Sequence, residues 1–318
     1  MALHVIVGKG PVGLTTAELL ADQGHRVRVL SRSGGTSTDR VEHRRVDAAD
    51  AAGLTEAATG AAALYNAVNP AYDRWTTDWP PVAAALLAAT ERSGAVLVTM
   101  SNLYVYGRPT GPMTPESPLA ATDTKGRVRI AMWREALAAH EAGRIRMTEA
   151  RAGDFVGPQV PADHSHLVRQ LPALRRGRRA WVVGDPDAPR SWTYLPDVAA
   201  TLAVLGTDTR ALGRAWHVPS NPPRSQRQAL ADLARAMGRR PVPVSGVPWP
   251  VLQAVGRFSP VMREVVDIRH QFDQEYVLDA TATTQAFGLT ATPWDQVLAA
   301  TAGAAEPTRV RASAARPG

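Results

Sequence analysis

The sequence of 318 residues contains no cysteine, which excludes disulfide bonds, thiol nucleophiles and cysteine-bound metal ions. It also lacks any apolar run near the roughly 18 residues that a membrane-spanning helix needs. No charged segment followed by a long apolar stretch stands at the N-terminus, so we expect a soluble, cytoplasmic protein without a membrane partner. Lysine is nearly absent: of the 36 lysine and arginine residues, only Lys9 and Lys125 are lysines. These two positions are candidates for roles that arginine cannot fill.

The basic residues give the chain a formal net charge of +7. A basic balance can indicate nucleic acid, membrane surfaces or acidic ligands as partners. Here the arginines are scattered along the chain, without a helix-turn-helix or RNA-binding signature. We therefore expect a solvated arginine-rich surface, a small-molecule substrate and no nucleic-acid partner.

The first residues combine a short apolar run, 4–7, with a Gly-x-Gly-x-x-Gly turn. This order predicts a buried strand, a tight turn and a helix that begins near Pro11. Glycine at positions 8 and 10 permits backbone conformations and close approaches that a side chain would block, and Gly13 lets helix and strand pack tightly. The free N–H groups at the helix start would face the pyrophosphate of a dinucleotide. The alternative is a glycine turn used for packing alone. The predicted contacts are Gly8, Lys9, Gly10, Pro11, Val12 and Gly13.

Apolar and amphipathic segments alternate through the first half of the chain. Strands are predicted at 25–30, 42–46, 62–66, 95–100 and 144–150, and helices at 14–23, 82–92 and 126–141. This alternation is typical of an α/β fold with a Rossmann-type doubly wound parallel sheet. We predict a dinucleotide-binding domain over 1–158 with a return segment near 189–223, a smaller and mainly helical substrate lobe over 159–188 and 224–303, and a disordered tail over 304–318.

The end of the second strand indicates which dinucleotide binds. An NAD site usually places an acidic residue there to hold the ribose 2′-hydroxyl. This chain instead has Ser31 and Arg32, a hydroxyl and a forked cation that suit a 2′-phosphate. We therefore predict NADP(H) in preference to NAD(H), although Arg32 also fits a plain surface arginine. Asp47, after the third strand, is expected either to accept a hydrogen bond from the adenine amino group or to cap the next helix.

Further contacts are expected where the fourth and fifth strands end, since ligands bind at the carboxyl edge of such sheets. Predicted cofactor contacts there are Asn66, Ala67, Val68 and Ser101. Predicted substrate contacts at the pocket mouth are Asn69, Tyr72 and Trp75, although aromatic residues there fit plain packing equally well.

Several segments in order resemble the extended short-chain dehydrogenase/reductase family, also called the NAD-dependent epimerase/dehydratase family. They are the glycine turn, 101–107 with its Val-Tyr-Gly, 116–118, 151–158 with its Gly-Pro end, and 190–197. The resemblance covers about residues 3–300 and implies a Rossmann-type fold, a nicotinamide cofactor and frequent homodimers. Arg190 resembles the family arginine that contacts a nucleotide-sugar pyrophosphate, and its alternative is a surface ion pair.

The catalytic positions depart from the family pattern. The family's Ser or Thr before Val-Tyr-Gly is Asn102 here, and its Tyr-x-x-x-Lys aligns with Lys125 and Arg129. Arginine can hold the nicotinamide ribose but cannot shuttle protons, whereas lysine can. Asn102 can donate to a substrate oxygen. Tyr104, where the family's sugar-nucleotide dehydratases carry a catalytic glutamate, is a second candidate proton donor. The alternative is that Lys125 and Arg129 form a solvated basic helix face and that Tyr104 serves only in packing.

These residues predict an NADP(H)-binding, epimerase/dehydratase-like short-chain dehydrogenase acting on a small hydroxylated or carbonyl substrate, either a sugar nucleotide or a secondary metabolite. Two alternatives remain: an NADP-sensing regulatory protein without turnover, and a non-redox isomerase or cyclase. The segment 163–166, Asp-His-Ser-His, suggests a metal, but no further ligand lies nearby in sequence, so we expect no metal site.

Overall fold

The computed structural model describes residues 1–303, and the tail predicted at 304–318 lies outside them. The chain folds as an α/β protein whose main sheet has seven strands in the order β11-β6-β5-β4-β1-β2-β3, all parallel. The strands are β1 (Leu3–Val7), β2 (Arg26–Ser31), β3 (Val41–Arg45), β4 (Ala61–Asn66), β5 (Val96–Asn102), β6 (Arg146–Ala152), β7 (Asp154–Val156), β8 (Ala180–Val183), β9 (Pro189–Arg190), β10 (Trp192–Tyr194), β11 (Ala215–His217), β12 (Arg224–Ser225) and β13 (Val244–Val247).

Helices cover both faces of this sheet and form most of the C-terminal region. They are α1 (Pro11–Asp22), α2 (Ala51–Ala58), α3 (Trp75–Ser93), α4 (Thr124–Glu141), α5 (Leu171–Arg175), α6 (Leu195–Leu205), α7 (Gln226–Ala236), α8 (Trp249–Gly256), α9 (Pro260–Asp267), α10 (His270–Asp273), α11 (Thr281–Phe287) and α12 (Trp294–Gly303). Short 3-10 turns lie at Tyr72–Arg74, Leu103–Tyr106, Ala162–His164, Val168–Gln170 and Thr209–Ala211. The strand and helix boundaries predicted for the first half shift by at most three residues, with one exception, and α2 had no predicted bounds.

That exception is α3, which begins at Trp75 rather than at residue 82. Pro80 and Pro81 lie inside the helix, and proline normally removes a helix hydrogen bond and clashes with the preceding turn. The first turns are nevertheless retained, since Trp75 and Trp79 are both buried. Burial of two large aromatic side chains outweighs the local cost of the prolines.

Two apolar cores lie on opposite faces of the sheet, which explains why its strands read as apolar runs. One contains Leu54, Trp79 and Trp133, and the other contains Leu20 and Leu202. A third core, around Leu233 and Val297, belongs to the C-terminal region. Residues that end neighbouring strands meet at one edge of the sheet, since Val7 pairs with both Leu30 and Asn66. That edge carries most of the predicted site.

Candidate functional site

The glycine turn has two packed positions and one open position. Gly8 has φ +111°, and a Cβ there would lie 2.5 Å from the carbonyl oxygen of Ala67. A Cβ at Gly13 would lie 2.0 Å from the carbonyl oxygen of Gly8. Gly10 has an ordinary φ of −72°, so the expectation that it needs a special conformation is wrong. A Cβ at Gly10 would meet no heavy atom within 4 Å, which leaves that side of the turn open to a ligand.

The open side of the turn leads to the start of α1. Gly10 caps this helix without a side-chain hydrogen bond, and Pro11 opens it. Helix N-termini of this kind attract phosphate through free N–H groups and the helix dipole. A cavity of about 240 Å³ adjoins this helix start and is lined by Lys9, Pro11, Leu14, Thr15, Glu18 and Gln159. The geometry of the turn therefore suits a pyrophosphate.

Alanine substitutions at Gly13 and Gly10 distinguish the packed position of the turn from the open one. We expect Gly13→Ala to lower the free energy of unfolding by about 3 kcal/mol, since its methyl group must displace the backbone of Gly8. Gly10→Ala should cost about 1 kcal/mol or less as a helix-cap change. It should nevertheless weaken dinucleotide binding by about tenfold, equivalent to about 1.4 kcal/mol. Urea unfolding and cofactor titration of both variants check this, and equal effects in both would contradict it.

Three cations gather where β2 ends. Lys9 Nζ donates to the Gly34 carbonyl oxygen at 2.9 Å, and Ser31 Oγ donates to the same oxygen at 3.1 Å. The lysine amine is thus engaged by the loop after β2, and its contact with the cofactor stays a prediction. Arg32 is exposed, and Arg45 stands opposite Ser31 on β3. Arg45 was missed in the sequence because only strand register brings it here.

Asp47 is not the cap of the next helix. Its carboxylate accepts from the backbone N–H of Ala49 at 2.9 Å. The cap of α2 is Asp50, which accepts from the N–H groups of Ala52 and Gly53. The helix-cap alternative for Asp47 is therefore wrong, and its contact with adenine stays a prediction.

The ends of β4 and β5 supply further polar groups. Asn66 is buried, and its Oδ1 accepts from the N–H of Val68 at 3.2 Å. Ala67 is the residue that contacts Gly8. Ser101 is 4 % exposed, and its Oγ has no hydrogen-bond partner within residues 1–303. Asn69 is exposed. A buried hydroxyl without a partner is costly, so Ser101 stays a candidate for contact with a ligand.

An aromatic cluster lies beside these strand ends. The rings of Trp75 and Tyr104 stack with centroids 5.9 Å apart, and Trp75 meets Tyr72 edge-on at 5.7 Å. Trp79 extends the cluster at 6.1 Å from Trp75. The hydroxyl oxygens of Tyr72 and Tyr104 are 3.3 Å apart. The four rings thus pack together, and the hydroxyls of Tyr72 and Tyr104 are within hydrogen-bond distance.

Asn102 and Tyr104 are tied to one another. Asn102 Oδ1 accepts from the backbone N–H of Tyr104 at 3.1 Å, which leaves the Nδ2 amide as the donor. Burial raises the pKa of the Tyr104 hydroxyl, and its hydrogen bond with Tyr72 opposes that shift. Tyr104 therefore carries its proton at neutral pH and can act as a hydrogen-bond donor or acid.

Lys125 does not lie on a solvated helix face. Its side chain is 1 % exposed, and Nζ lies 3.0 Å from Oε2 of Glu264. The ammonium also donates to the Tyr72 carbonyl oxygen and lies 4.2 Å from the centre of the Tyr72 ring. Burial lowers the pKa of Lys125, and Glu264 opposes that shift. Glu264 was missed in the sequence, since α9 carries no motif and lies far from α4 along the chain.

Arg129 lies one helical turn after Lys125 and is 5 % exposed. Its guanidinium carbon is 4.7 Å from the Trp75 ring centre and 4.4 Å from that of Trp79. Among the described residues, Nε and Nη1 have no hydrogen-bond partner. Burial lowers the pKa of Arg129 to about 10, so it remains a cation at neutral pH. Both basic residues are thus buried at the site, and the solvated-face alternative is wrong.

Arg190 forms an ion pair, but a buried one. Its Nε lies 2.6 Å from Oδ2 of Asp154, and the residue is 4 % exposed. Nη2 also donates to the carbonyl oxygen of Gln271 at 3.3 Å. The backbone of Tyr276 pairs with that of Arg190 in an isolated parallel β-bridge. Its hydroxyl is buried without a hydrogen-bond partner within residues 1–303. Asp154 lies within the resembling segment 151–158, whereas Tyr276 carries no sequence signal.

A buried chain of hydrogen bonds lies behind the site. Arg151 Nη1 donates to the Tyr106 hydroxyl at 2.8 Å, which donates to His217 Nε2 at 2.7 Å. His217 Nδ1 then donates to the carbonyl oxygen of Asp279 at 2.9 Å. Because Nε2 must accept, this chain requires a neutral imidazole. The network joins the ends of β6 and β11 to the 3-10 turn that follows β5.

Neither a metal cluster nor a membrane-spanning helix is found in the part of the chain that the structure describes. Across 1–303, no three histidine, aspartate or glutamate side chains are placed to hold a metal ion. No helix there is long and apolar enough to cross a membrane.

Comparison with known proteins agrees with this geometry. The model of the NAD dependent epimerase/dehydratase family matches residues 5–218. No curated protein matches the sequence. Among solved structures, MoeE5 in complex with UDP-glucose and NAD is 18% identical, covering 95% of this chain and 97% of that one, with a TM-score of 0.76.

Two further structures are similar over their whole length. The dTDP-glucose 4,6-dehydratase of Bacillus anthracis, in complex with NAD, is 15% identical over 95% of this chain and 96% of that one, with a TM-score of 0.77. The UDP-glucuronic acid 4-epimerase of Bacillus cereus, in complex with NAD, is 14% identical over 95% and 98%, with a TM-score of 0.76. At such identities the likeness shows the fold, and the family match extends over most of the chain. The chain therefore belongs to the NAD-dependent epimerase/dehydratase family.

Proposed function

We propose that this family member is an NADP(H)-binding enzyme acting on a small hydroxylated or carbonyl compound. The observation that carries the proposal is Arg129, a buried cation in the aromatic cluster beside the strand ends, where it lies over the rings of Trp75 and Trp79. Two of its nitrogens have no hydrogen-bond partner among residues 1–303. A buried charge normally has partners. A ribose hydroxyl or another ligand oxygen at this edge would supply them.

The residues present fit a dinucleotide along the whole edge. The open side of Gly10 and the start of α1 would hold the pyrophosphate. Asn66, Ala67, Val68 and Ser101 would flank the middle of the cofactor, with Asp47 toward adenine. Arg129 would hold the nicotinamide ribose. When bound, the nicotinamide ring supplies or accepts a hydride, which is the chemistry that the side chains lack.

The substrate end of the site contains donors of different character. The Asn102 Nδ2 amide would donate to a substrate oxygen, which stabilises negative charge that develops there. Tyr104, which carries its proton, would donate a hydrogen bond or that proton to the same oxygen. Lys125 is the second group able to move a proton, because burial favours its neutral amine.

The substrate class rests on the neighbouring side chains. Asn69, Tyr72, Trp75 and Arg190 are proposed to contact the substrate. MoeE5 and the Bacillus cereus epimerase have been solved with nucleotide sugars, which makes sugar nucleotides the first substrates to test. Arg190 is already neutralised by Asp154, so smaller uncharged carbonyl compounds belong in the same panel. A homodimer and a cytoplasmic location stay predictions.

The cationic loop after β2 favours a 2′-phosphate. Arg32 follows Ser31, Arg45 pairs with Ser31 on β3, Lys9 contacts Gly34 in the loop, and no acidic residue ends β2. We expect Arg32→Ala to weaken NADP(H) binding by about 10- to 100-fold, the range for losing a hydrogen bond to a charged group. NAD(H) binding should change little. Arg26→Ala, an exposed arginine at the other end of β2, is the matched control. Fluorescence titration with both cofactors measures these affinities. Equal or tighter binding of NAD(H) by the wild type would contradict the predicted preference for NADP(H).

A cofactor-binding protein without turnover is the second candidate. It is favoured by Lys125, whose ammonium is already engaged by Glu264 and the Tyr72 carbonyl oxygen. Absorbance at 340 nm, followed with bound cofactor and a panel of sugar nucleotides and carbonyl compounds, separates the two. Hydride transfer supports the enzyme. Cofactor binding with no transfer, no redox-neutral product and a cofactor-dependent protein partner in a pull-down would support the sensor.

A further inference from the structure

The buried ammonium of Lys125 has one ionised partner that reaches solvent. The Lys125 side chain is 1 % exposed, whereas that of Glu264, 3.0 Å away, is 22 % exposed. The other contacts of Nζ are the Tyr72 carbonyl oxygen and the faces of Tyr72 and Trp75. None of these can accept a proton at neutral pH. A proton that leaves Lys125 therefore has Glu264 as its acceptor.

The helix that carries Glu264 also docks on α4 through a second carboxylate. Oδ2 of Asp267 accepts from the backbone N–H of Thr124 at 3.2 Å. Asp267 therefore contacts the helix start, whereas Glu264 contacts the functional side chain. Both carboxylates lie on one short helix. A substitution of Asp267 therefore disturbs the docking of this helix and leaves the charge beside Lys125 in place.

Electrostatics favour a strong coupling between the two groups. Burial penalises the ammonium form of Lys125, and Glu264 is the largest influence that restores it. Asp73, in the 3-10 turn before α3, and Asp123, the cap of α4, act in the same direction with smaller effect. Removing one member of a buried pair leaves the other charge uncompensated. Lys125 without the Glu264 charge should then release its proton more readily.

We propose that Glu264 is a positioning residue that holds Lys125 Nζ in the site and exchanges its proton with solvent. The proposal rests on the proposed role of Lys125 in proton transfer. In this step an N–H bond of the ammonium breaks as an O–H bond forms on Glu264, leaving a neutral amine and a neutral carboxylic acid. The acid then returns its proton to water.

The scarcity of lysine makes the coupling directly measurable. Full-length protein labelled only in lysine with carbon-13 gives two side-chain signals, and a Lys9→Arg variant assigns them. We expect Glu264→Gln to move the titration midpoint of Lys125 to lower pH, and Glu264→Asp to restore it in part. Asp267→Asn should leave the midpoint unchanged. An unchanged midpoint in Glu264→Gln, or an equal shift in Asp267→Asn, overturns the proposal.

A second readout distinguishes a role in the reaction from a structural pair. The pH profile of kcat should shift in Glu264→Gln with the Lys125 midpoint, whereas cofactor affinity should stay within a few-fold. A shifted midpoint with an unshifted profile overturns the proposal. Should Glu264→Gln fail to fold, as judged by circular dichroism, Glu264→Asp replaces it, with a smaller shift of midpoint and profile expected in the same direction. Failure of the proposed function is recognised separately, because either the wild type would show no turnover with the panel or Lys125→Met would retain it.

Discussion

Replacing Lys125 with methionine is expected to lower turnover by a factor of about 10² to 10⁴, the contribution of a positioned acid or base. Methionine keeps a long unbranched side chain against Tyr72 and Trp75 but has no proton to move. Dinucleotide affinity should change only a few-fold, because Arg129 and the glycine turn are untouched. Steady-state rates with the substrate found in the panel, together with cofactor titration, measure both quantities.

The control for that variant is Arg127→Met, a change to an exposed basic residue of the same helix. It should leave turnover within about twofold, as surface substitutions usually do. Tyr104→Phe, which removes the second candidate proton donor, should reduce turnover by at least about tenfold. If Lys125→Met and Tyr104→Phe each leave turnover unchanged, the assignment of this site is wrong.

The second large effect is a loss of stability in mild acid. His4 and His217 are fully buried, and burial lowers the pKa of each to about 4, with His25 and Arg151 adding to the respective shifts. The unfolded chain binds these protons near pH 6.5. These two histidines therefore leave the free energy of unfolding undiminished above pH 6.5, and they lower it as the pH drops from 6.5 toward 4. Two protons give a slope of up to about 3 kcal/mol per pH unit.

The structural reason differs at the two histidines. His4 shares a hydrogen bond with the Tyr65 hydroxyl and packs against His25 at 4.5 Å, where a second positive charge is unfavourable. Protonating His217 would reverse the hydrogen bond that it accepts from Tyr106. Urea unfolding between pH 4.5 and 8 measures the slope. His4→Gln and His217→Gln should each reduce it, whereas His164→Gln, at a half-exposed side chain, should not. A flat profile would contradict the prediction.

Local sequence was enough to predict the fold and the sheet edge at which the candidate site lies. Apolar runs that end in glycine or a polar residue specify parallel strands, and a Gly-x-Gly-x-x-Gly turn after the first one specifies a dinucleotide. The structure agrees with that pattern, since a Cβ at Gly8 or Gly13 would clash with backbone atoms. The substitutions at Lys125 and Arg129 were also visible, because helix spacing places them one turn apart.

The partners of those residues could not be predicted. Glu264 reaches Lys125 and Asp154 reaches Arg190 through tertiary packing, which leaves no local pattern. Arg45 depends on strand register, a property of pairs of strands rather than of one. The early start of α3 depends on burial of Trp75 and Trp79, which overrides the proline signal. What was missed is thus the second member of each interaction.

The contact between α4 and α9 has a consequence for how the protein matures. Domains generally fold in order of synthesis, and contacts between distant segments carry a large loop-closure cost. The strands that bear the glycine turn are complete long before α9 emerges from the ribosome. A nascent chain would thus acquire its nucleotide cradle first, and Lys125 would stay solvated until Glu264 is made. Formation of the contact between Lys125 and Glu264 is then a late event of folding.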